Sequence, residues 1–295
     1  MNLGRLGVWA LVNVMSAPDS AAFARRVESW GYGTLWVPEI TARDPLVVSA
    51  WLLANTSKLN VATGVVSIHS RDPYVAVNSQ YALAEQSGGR FLLGLGVSHG
   101  PFVEGTLGHR YEKPAATMRH YLEMMPQMKY LGPQPPEKPK TVIGALGPKM
   151  LEVAAALADG VHPYNITPEH TAKSRSILGA SKLLCPEQMV LLETDAATAR
   201  AIGRKALALS FMLPNYRGNY LRLGFSKEDM DNGGSDRLID AIVAWGDEKA
   251  IRERIQQHWD AGADHVCIQP LRREGATLSV QDQKILELLA PANGS

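Results

Sequence analysis

The stretch that decides the fold is residues 60–100, NVATGVVSIHSRDPYVAVNSQYALAEQSGGRFLLGLGVSHG. It begins with a β-branched run over 61–68 and ends with the apolar run Phe91–Leu95, as is typical of strands covered on both faces of a parallel sheet. Between them, Asp72 and Pro73 predict a helix N-cap followed by proline at the first helical position. The stretch therefore predicts one βαβ unit with polar residues after each strand, which is where α/β proteins place their chemistry.

The same alternation continues along the rest of the chain. Strand-like runs are predicted at 6–11, 34–37, 61–68, 91–95, 141–143, 160–162, 188–193 and 263–269, with helical segments between them, the longest over 195–245. Eight such units close most naturally into a (β/α)8 TIM barrel, and a doubly wound open sheet is the alternative. The segment 131–140 carries four prolines and predicts a surface loop inside a single domain spanning residues 1–295.

Composition excludes several classes of function. The 295 residues carry a net charge of +1 with no basic block, so nucleic acid is not an expected partner. Cys185 and Cys267 are isolated in sequence and are expected to be buried thiols in a reducing compartment, with no metal site. No run reaches the roughly 18 apolar residues of a membrane span and the N-terminus does not resemble a signal peptide. A cytoplasmic protein without a membrane partner is therefore expected.

Five segments carry a family resemblance. They are GYGTLWVPE at 31–39, VATGVVSIHSRDP at 61–73, LAEQSGGRFLLGLGVSH at 83–99, GALGPKMLEVAAALADGVHPYNITPEH at 144–170, and AGADHVCIQPL at 261–271. In this order and spacing, residues 1–290 resemble the luciferase-like monooxygenase family, and within it the branch of oxidoreductases that use the deazaflavin coenzyme F420. FMN enzymes share this framework, so FMN is the alternative cofactor.

The loop GALGPK at 144–149 is the predicted phosphate site. It follows a strand and opens a helix, and backbone N–H groups at a helix start, with the helix dipole behind them, can hold a phosphate. The alternative is an ordinary βα turn. The resemblance implies that this loop holds the cofactor phosphate, which makes cofactor-binding candidates of Gly144, Ala145, Leu146, Gly147 and Pro148.

Further cofactor contacts are expected at the third strand, from the resemblance, and at the end of the fourth strand, from its position in a barrel. Related proteins place a non-proline cis peptide in the third strand, behind the central ring of the cofactor, and the matching bond joins Gly64 to Val65. Gly94 and Gly96 miss the spacing of a dinucleotide-binding fingerprint, and they are instead expected to bring backbone close to a ligand. Ser98, which follows them, is expected to project toward the same cofactor.

His99 and Glu39 are the candidate catalytic residues, because each follows a predicted barrel strand. The family often has an acidic residue near the position of His99, and the alternative is a structural histidine. Glu39 is a candidate for contacting the ring system or activating a hydroxyl, and the alternative is a capping or ion-paired carboxylate. Some alcohol-oxidising members have a histidine after the matching acidic residue, but here that residue is Ile40, which cannot act as a base.

The candidate substrate contacts are Trp9, His69 and Tyr164, which lie in or after the first, third and sixth strands. Core packing is the alternative for Trp9, half-buried packing is the alternative for Tyr164, and His69 could meet the cofactor instead. The polar stretch 214–234 is expected to cover the mouth of the barrel or to form a dimer surface.

The resemblance implies an oxidoreductase that transfers a hydride between F420 and a small organic substrate, because a deazaflavin exchanges two electrons as hydride. An FMN-dependent monooxygenase is one alternative. A non-catalytic flavin-binding homologue is the other. The family commonly forms dimers, so a homodimer is expected.

Overall fold

The computed structural model describes residues 1–293. The strands are β1 (Leu6–Trp9), β2 (Thr34–Val37), β3 (Asn60–Thr63), β4 (Val66–Ser67), β5 (Phe91–Gly96), β6 (Thr141–Ile143), β7 (Gly160–Val161), β8 (Leu183–Leu184), β9 (Glu187–Leu192), β10 (Val243–Gly246) and β11 (Val266–Pro270). The α-helices are α1 (Ala17–Ser29), α2 (Pro45–Ala54), α3 (Pro73–Gln86), α4 (Gly100–Gly105), α5 (Pro114–Met124), α6 (Pro148–Leu157), α7 (Pro168–Leu178), α8 (Ala196–Leu207), α9 (Pro214–Arg222), α10 (Asp236–Ile242), α11 (Glu248–Asp260) and α12 (Val280–Leu288). None of these helices combines the length and the apolar character that crossing a membrane requires.

The strands form a parallel barrel, which confirms the predicted fold class. The hydrogen-bonded order is β10-β9-β11-β1-β2-β3-β5-β6-β7-β8, and β4 continues β3 beside β5. The barrel closes because β8 and β9 are consecutive parts of a single barrel strand, so that the strand that pairs with β7 also pairs with β11. The carbonyl of Leu184 at the end of β8 accepts the N–H of Asp264 at 3.0 Å, and that of Pro186 accepts the N–H of Cys267 in β11 at 2.8 Å. Eight strand positions therefore close, and β10 is an additional strand on β9.

The third strand contains one extra residue, which breaks it into β3 and β4. Ala62 pairs with Leu92, but the next paired residue, Val66, is opposite Leu95, so four steps along one strand match three along its neighbour. This is the geometry of a β-bulge. The peptide bond between Gly64 and Val65 inside the bulge is cis, which confirms the predicted bond.

The predictions that depend on a few neighbouring residues, namely the helix cap before α3 and the proline-rich loop, are confirmed. Asp72 caps α3 through its side chain, Pro73 is the first helical residue, and residues 131–140 form neither helix nor strand. The helical region predicted over 195–245 contains three α-helices, but its end was predicted wrongly, because residues from Val243 onward form β10. A strand of four residues is too short to show a period of its own, and Val243–Gly246 directly follows a helical turn.

The barrel interior holds buried polar rings as well as apolar side chains. Trp36 is fully buried, stacks on the imidazole of His162 with 4.1 Å between ring centroids, and donates its indole N–H to Nε2 of His265 at 3.0 Å. Cys185 and Cys267 lie in the same interior cluster as free, buried thiols, as predicted. A larger apolar layer packs between the strands and the surrounding helices. The interior is thus a packed core whose open end lies at the carboxyl ends of the strands.

We predict that Gly94→Ala destabilises the barrel by roughly 3 kcal/mol, the upper range for overpacking in a dense core. A β-carbon at this position would lie 1.9 Å from the carbonyl oxygen of Thr63, which cannot move without disturbing the bulge. Urea unfolding measures the effect, and Gly105→Ala is the matched control because no atom lies within 4 Å of the added carbon. Equal stability of the two variants would contradict this account of the bulge.

Candidate active site at the carboxyl ends of the strands

The bulge in the third strand is held by the first strand. The indole N–H of Trp9, the last residue of β1, donates to the carbonyl oxygen of Gly64 at 3.0 Å. The Val65 side chain rests on glycines of the next two strands: a β-carbon at Gly96 would lie 2.5 Å from it, and one at Gly144 would lie 3.5 Å from it. Gly94 and Gly96 both make room for the bulged third strand, a packing role that the sequence did not suggest.

The loop from Gly144 to Pro148 has the predicted local structure. Gly144 donates its N–H to the carbonyl of Leu95 at 2.8 Å, which aligns the loop with β5. Gly147 is the N-cap of α6 and Pro148 is its first residue, so the N-terminus of this ten-residue helix faces the mouth without a capping side chain. Ala145 is buried, which anchors the middle of the loop.

Two residues that sequence reasoning missed support this loop. His170 in α7 contacts the carbonyl oxygen of Leu146 through Nε2 at 2.8 Å, and burial lowers the pKa of His170 to about 4. The neutral ring therefore donates its Nε2 proton, while Nδ1 accepts from Ser174 at 3.1 Å. Arg222, the last residue of α9, places Nη2 3.5 Å from the position of a β-carbon on Gly147. Its guanidinium is a cation beside the start of α6, and no local motif marks a residue so far along the chain.

An aromatic row crosses the mouth of the barrel. His99 lies 5.6 Å from Tyr216, Tyr216 lies 6.2 Å from Tyr164, and Tyr164 lies 5.5 Å from Trp9, measured between ring centroids. Tyr216 belongs to α9, so the first part of the polar stretch 214–234 lies at the mouth, which is one of the two positions predicted for it. Burial lowers the pKa of His99, although a contact with the Asn215 side chain partly opposes this, and Nδ1 of His99 has no partner in the described chain.

Glu39 lies in an ion pair. Its carboxylate accepts from Nη2 of Arg71 at 2.6 Å and from the backbone N–H of Ser67 in β4 at 2.5 Å. Its own N–H donates to the carbonyl of Val65 at 3.3 Å. Both carboxylate oxygens are therefore engaged, and Glu39 ties the end of β2 to the residues that follow the bulge.

His69 and Ser98 are linked through Tyr111. The His69 ring is 6.0 Å from the ring of Tyr111, and the Tyr111 hydroxyl donates to the carbonyl of Ser98 at 3.2 Å. Ser98 has a φ of 56°, a left-handed conformation that turns the chain sharply after β5. Burial lowers the pKa of His69, which favours a neutral ring.

A cavity of about 570 Å³ opens beside Trp9 and Tyr164. Gln269 at the end of β11, the loop that follows it and one face of α8 form the other walls. Of the predicted substrate contacts, Trp9 and Tyr164 line this cavity, whereas His69 does not. The size and the mixed polar and apolar walls suit a small organic molecule.

Comparison with known proteins places the chain among relatives of similar length. The sequence profile described as luciferase-like monooxygenase matches residues 2–180. A putative coenzyme F420-dependent oxidoreductase of Mycobacterium tuberculosis is 26% identical, over 88% of this chain and 92% of that protein. A 5,10-methylenetetrahydromethanopterin reductase of Archaeoglobus fulgidus is 28% identical, over 90% of this chain and 92% of that protein.

Solved structures show the same fold at lower identity. An F420-dependent secondary alcohol dehydrogenase in complex with an F420-acetone adduct superposes with a TM-score of 0.79 at 14% identity, over 99% of both chains. The oxygenating constituent of 3,6-diketocamphane monooxygenase from Pseudomonas putida, in complex with FMN, superposes with a TM-score of 0.69 at 13% identity, over 99% of this chain and 97% of that one. At these identities the likeness is one of fold.

We predict that the protein loses stability as pH falls from about 6.5 to about 4. Burial lowers the pKa of His162, His170 and His265 to about 4, so these rings stay neutral in the fold while the unfolded chain takes up protons. The contribution of these three neutral rings to the free energy of unfolding is complete above pH 6.5. Between pH 6.5 and pH 4, each ring loses roughly 1 kcal/mol or more of that contribution.

Urea unfolding at pH 7.5, 6.5, 5.5 and 4.5 measures this decline. His162→Gln is expected to flatten it, whereas His120→Gln, at an exposed site on α5, should leave the slope unchanged. Identical slopes for the two variants would contradict the assignment of His162 as a buried neutral ring.

Proposed function

The chain belongs to the luciferase-like monooxygenase family, and from this premise we propose that it is an F420-dependent oxidoreductase that transfers a hydride between the deazaflavin and a small organic substrate. The observation that carries the proposal is the bulge at Gly64 and Val65, held by Trp9 at the mouth of the barrel. The bulge lies beside an uncapped helix N-terminus and an open cavity. We assign the bulge to a flat ring system, the N-terminus of α6 to a phosphate, and the cavity to a substrate.

The phosphate of the cofactor is proposed to bind at the start of α6. The loop from Gly144 to Pro148 provides backbone N–H groups and the positive end of the helix dipole, and Arg222 adds a cation beside Gly147. The ring system is proposed to rest against Gly64 and Val65 with Ser98 at its edge. When bound, the deazaflavin supplies a carbon that exchanges hydride.

The protein's own side chains would orient the substrate and handle the proton. Trp9 and Tyr164 wall the cavity in which the substrate is proposed to lie, and His69, which is outside this cavity wall and beside Tyr111, is proposed as a further substrate contact. His99 is proposed to exchange a proton, because burial favours its neutral form and Nδ1 is unpartnered. The Glu39 carboxylate is already bonded to Arg71 and to the backbone N–H of Ser67. We therefore propose that Glu39 acts on the cofactor indirectly, by holding in place the residues that follow the bulge.

An FMN-dependent monooxygenase is the second candidate function. It is favoured by the shared fold with the FMN-bound constituent of 3,6-diketocamphane monooxygenase. The first candidate is preferred because the two relatives described above, each aligned over most of this chain, are named a putative F420-dependent oxidoreductase and a methylenetetrahydromethanopterin reductase.

A homodimer through α2 and α3 is also part of the proposal. Val47 and Trp51 on α2 and Tyr74 and Val75 on α3 are large apolar side chains exposed on adjacent helices. Exposed apolar patches of this kind mark association surfaces, and a twofold contact would bury the same patch on both copies.

We predict that cofactor-free protein binds F420 at micromolar concentration or tighter and binds FMN much more weakly, as measured by isothermal calorimetry in one buffer. Gly147→Asp should weaken F420 binding by roughly 10-fold, because it places a carboxylate where the phosphate would bind. Gly147→Asn is the matched control: it is similar in size and can cap α6 equally well, but it carries no charge.

Four outcomes would count against this assignment. Preference for FMN would move the conclusion to the monooxygenase, and binding of neither cofactor would remove both candidates. Cofactor binding without turnover across a substrate screen would indicate a non-catalytic homologue. Equal loss of affinity in the Asp and Asn variants would show that the loop is sensitive to shape and not to charge.

We predict that Val47→Lys converts a dimer to a monomer in size-exclusion chromatography with light scattering. The side chain is 69% exposed in the monomer, so the substitution should not disturb the fold. Val280→Lys, at a residue that is 88% exposed on α12, is the control and should remain dimeric. A monomeric wild type, or a dimer unaffected by Val47→Lys, would refute this surface.

A further inference from the structure

The cavity beside Trp9 has uncharged side chains near the bulge and charged side chains in its more exposed wall. The ring of Trp9 is buried and bonds to the carbonyl of Gly64, and Tyr164 lies 5.5 Å from it between ring centroids. The amide of Gln269 also lines the cavity. Formal charge enters the wall from α8 and from the loop that follows β11, where the side chains are exposed.

Lys205 is the cation that α8 brings to this cavity. It shares one helix face with Ile202 and Ala206, which also line the cavity. The side chain is exposed, and within residues 1–293 its ammonium group has neither a carboxylate nor a hydrogen-bond acceptor as a partner. All three of its N–H donors are therefore available to a ligand.

Arg272, in the loop after β11, is a second cation in the wall. Its Nη1 donates to the carbonyl of Ala276 at 2.5 Å and to that of Gly275 at 3.4 Å, which closes the loop on itself. Neither acceptor is a carboxylate, so the positive charge of Arg272 has no counter-ion in the part of the chain that the structure describes. The neighbouring Arg273 differs, because the carboxylate of Glu193 at 2.9 Å neutralises it.

The unpaired charges of the wall leave an excess of one positive charge. Lys205 and Arg272 contribute two positive charges, and Glu274, which lines the cavity without an ion pair among the described residues, contributes one negative charge. A carboxylate carries one negative charge at neutral pH, whereas a phosphate monoester carries about 1.5 to 2. The wall therefore matches a carboxylate more closely, and its ammonium and guanidinium groups are donors that carboxylate oxygens accept.

We propose that the substrate is a small organic acid whose carboxylate binds at Lys205 and Arg272 while its reacting group lies beside Trp9 and the bulge. The inference rests on the proposed function, which places the substrate in this cavity, and it adds the chemical class that the cavity selects. Lys205 and Arg272 determine specificity in this arrangement and take no part in the transfer of the hydride.

The first test uses cofactor-free protein and two compounds of nearly the same shape, benzoate and benzamide. A ligand-observed NMR titration at neutral pH and low salt should show that benzoate binds roughly 10-fold more tightly than benzamide. This preference should shrink as NaCl is raised from about 50 to about 500 mM, because salt screens exposed charges. Equal affinity for the two compounds would overturn the proposal, and tighter binding of phenyl phosphate than of benzoate would overturn the choice of a carboxylate.

Substitutions of Lys205 test where the carboxylate binds. Lys205→Gln should weaken benzoate binding by roughly 5-fold and leave benzamide binding unchanged, because it removes a charge from an exposed side chain. Lys205→Arg keeps the charge and should keep the preference for benzoate. Lys58→Gln is the matched control, since Lys58 is an exposed lysine outside the cavity wall. The same loss in Lys58→Gln, or an equal response of benzoate and benzamide to Lys205→Gln, would refute the role of Lys205.

Turnover separates selection from chemistry. In oxidation of F420H2 by the enzyme, 4-oxocyclohex-2-ene-1-carboxylate should have a KM roughly 10-fold lower than that of cyclohex-2-enone at similar kcat, because both compounds present the same enone group. In Lys205→Gln the KM for the acid should rise toward that for the neutral enone. A wild type whose KM for the acid equals or exceeds that for the neutral enone would contradict the proposed selection.

Failure of the inference and failure of the proposed function give different results. If F420 does not bind while benzoate is preferred to benzamide through Lys205, the proposed function falls and the cavity stands as a carboxylate site. If F420 binds and the neutral enone is reduced as well as the acid, the proposed function stands and the selection of a carboxylate is refuted.

Discussion

The site depends on one extra residue in the third strand of the barrel. Because Ala62 and Val66 are four residues apart while their partners Leu92 and Leu95 are three apart, the strand must bulge. The Thr63 hydroxyl bonds both backbone groups of Gly94 at 2.8 Å, which replaces the interrupted ladder. The carbonyl of Gly64 in the bulge accepts the indole N–H of Trp9, which joins the third strand to the end of the first strand at the mouth.

The bulge requires small residues in the neighbouring strands. Val65 lies against Gly96 and Gly144, so side chains at these positions would occupy the same space. The glycines of the fourth and fifth strands therefore have a packing role, and the strand ends can approach one another closely. Close approach places the loop at the start of α6 beside the bulge, which is what a ligand with a ring and a phosphate needs.

The polar groups inside the barrel are arranged to stay neutral. His265 accepts from Trp36 and donates to the carbonyl of Gly4, which a neutral ring can do through its two different nitrogens. Glu187 stays protonated for the same reason that His162 stays unprotonated: burial penalises the charged form of each.

The sequence alone determined the alternation of strands and helices, the cap at Asp72, the loop at 144–148 and, by family resemblance, the bond between Gly64 and Val65, because each depends on neighbours along the chain. The tertiary structure decided what sequence distance hides: that Arg222 lies beside Gly147, that Tyr216 lies against Tyr164, and that Glu187 is buried inside the barrel. It also decided that β10 exists, since four residues gain their strand identity only by pairing with β9. Closing a barrel brings the ends of distant strands together, and no periodicity within one segment records which residues will then meet.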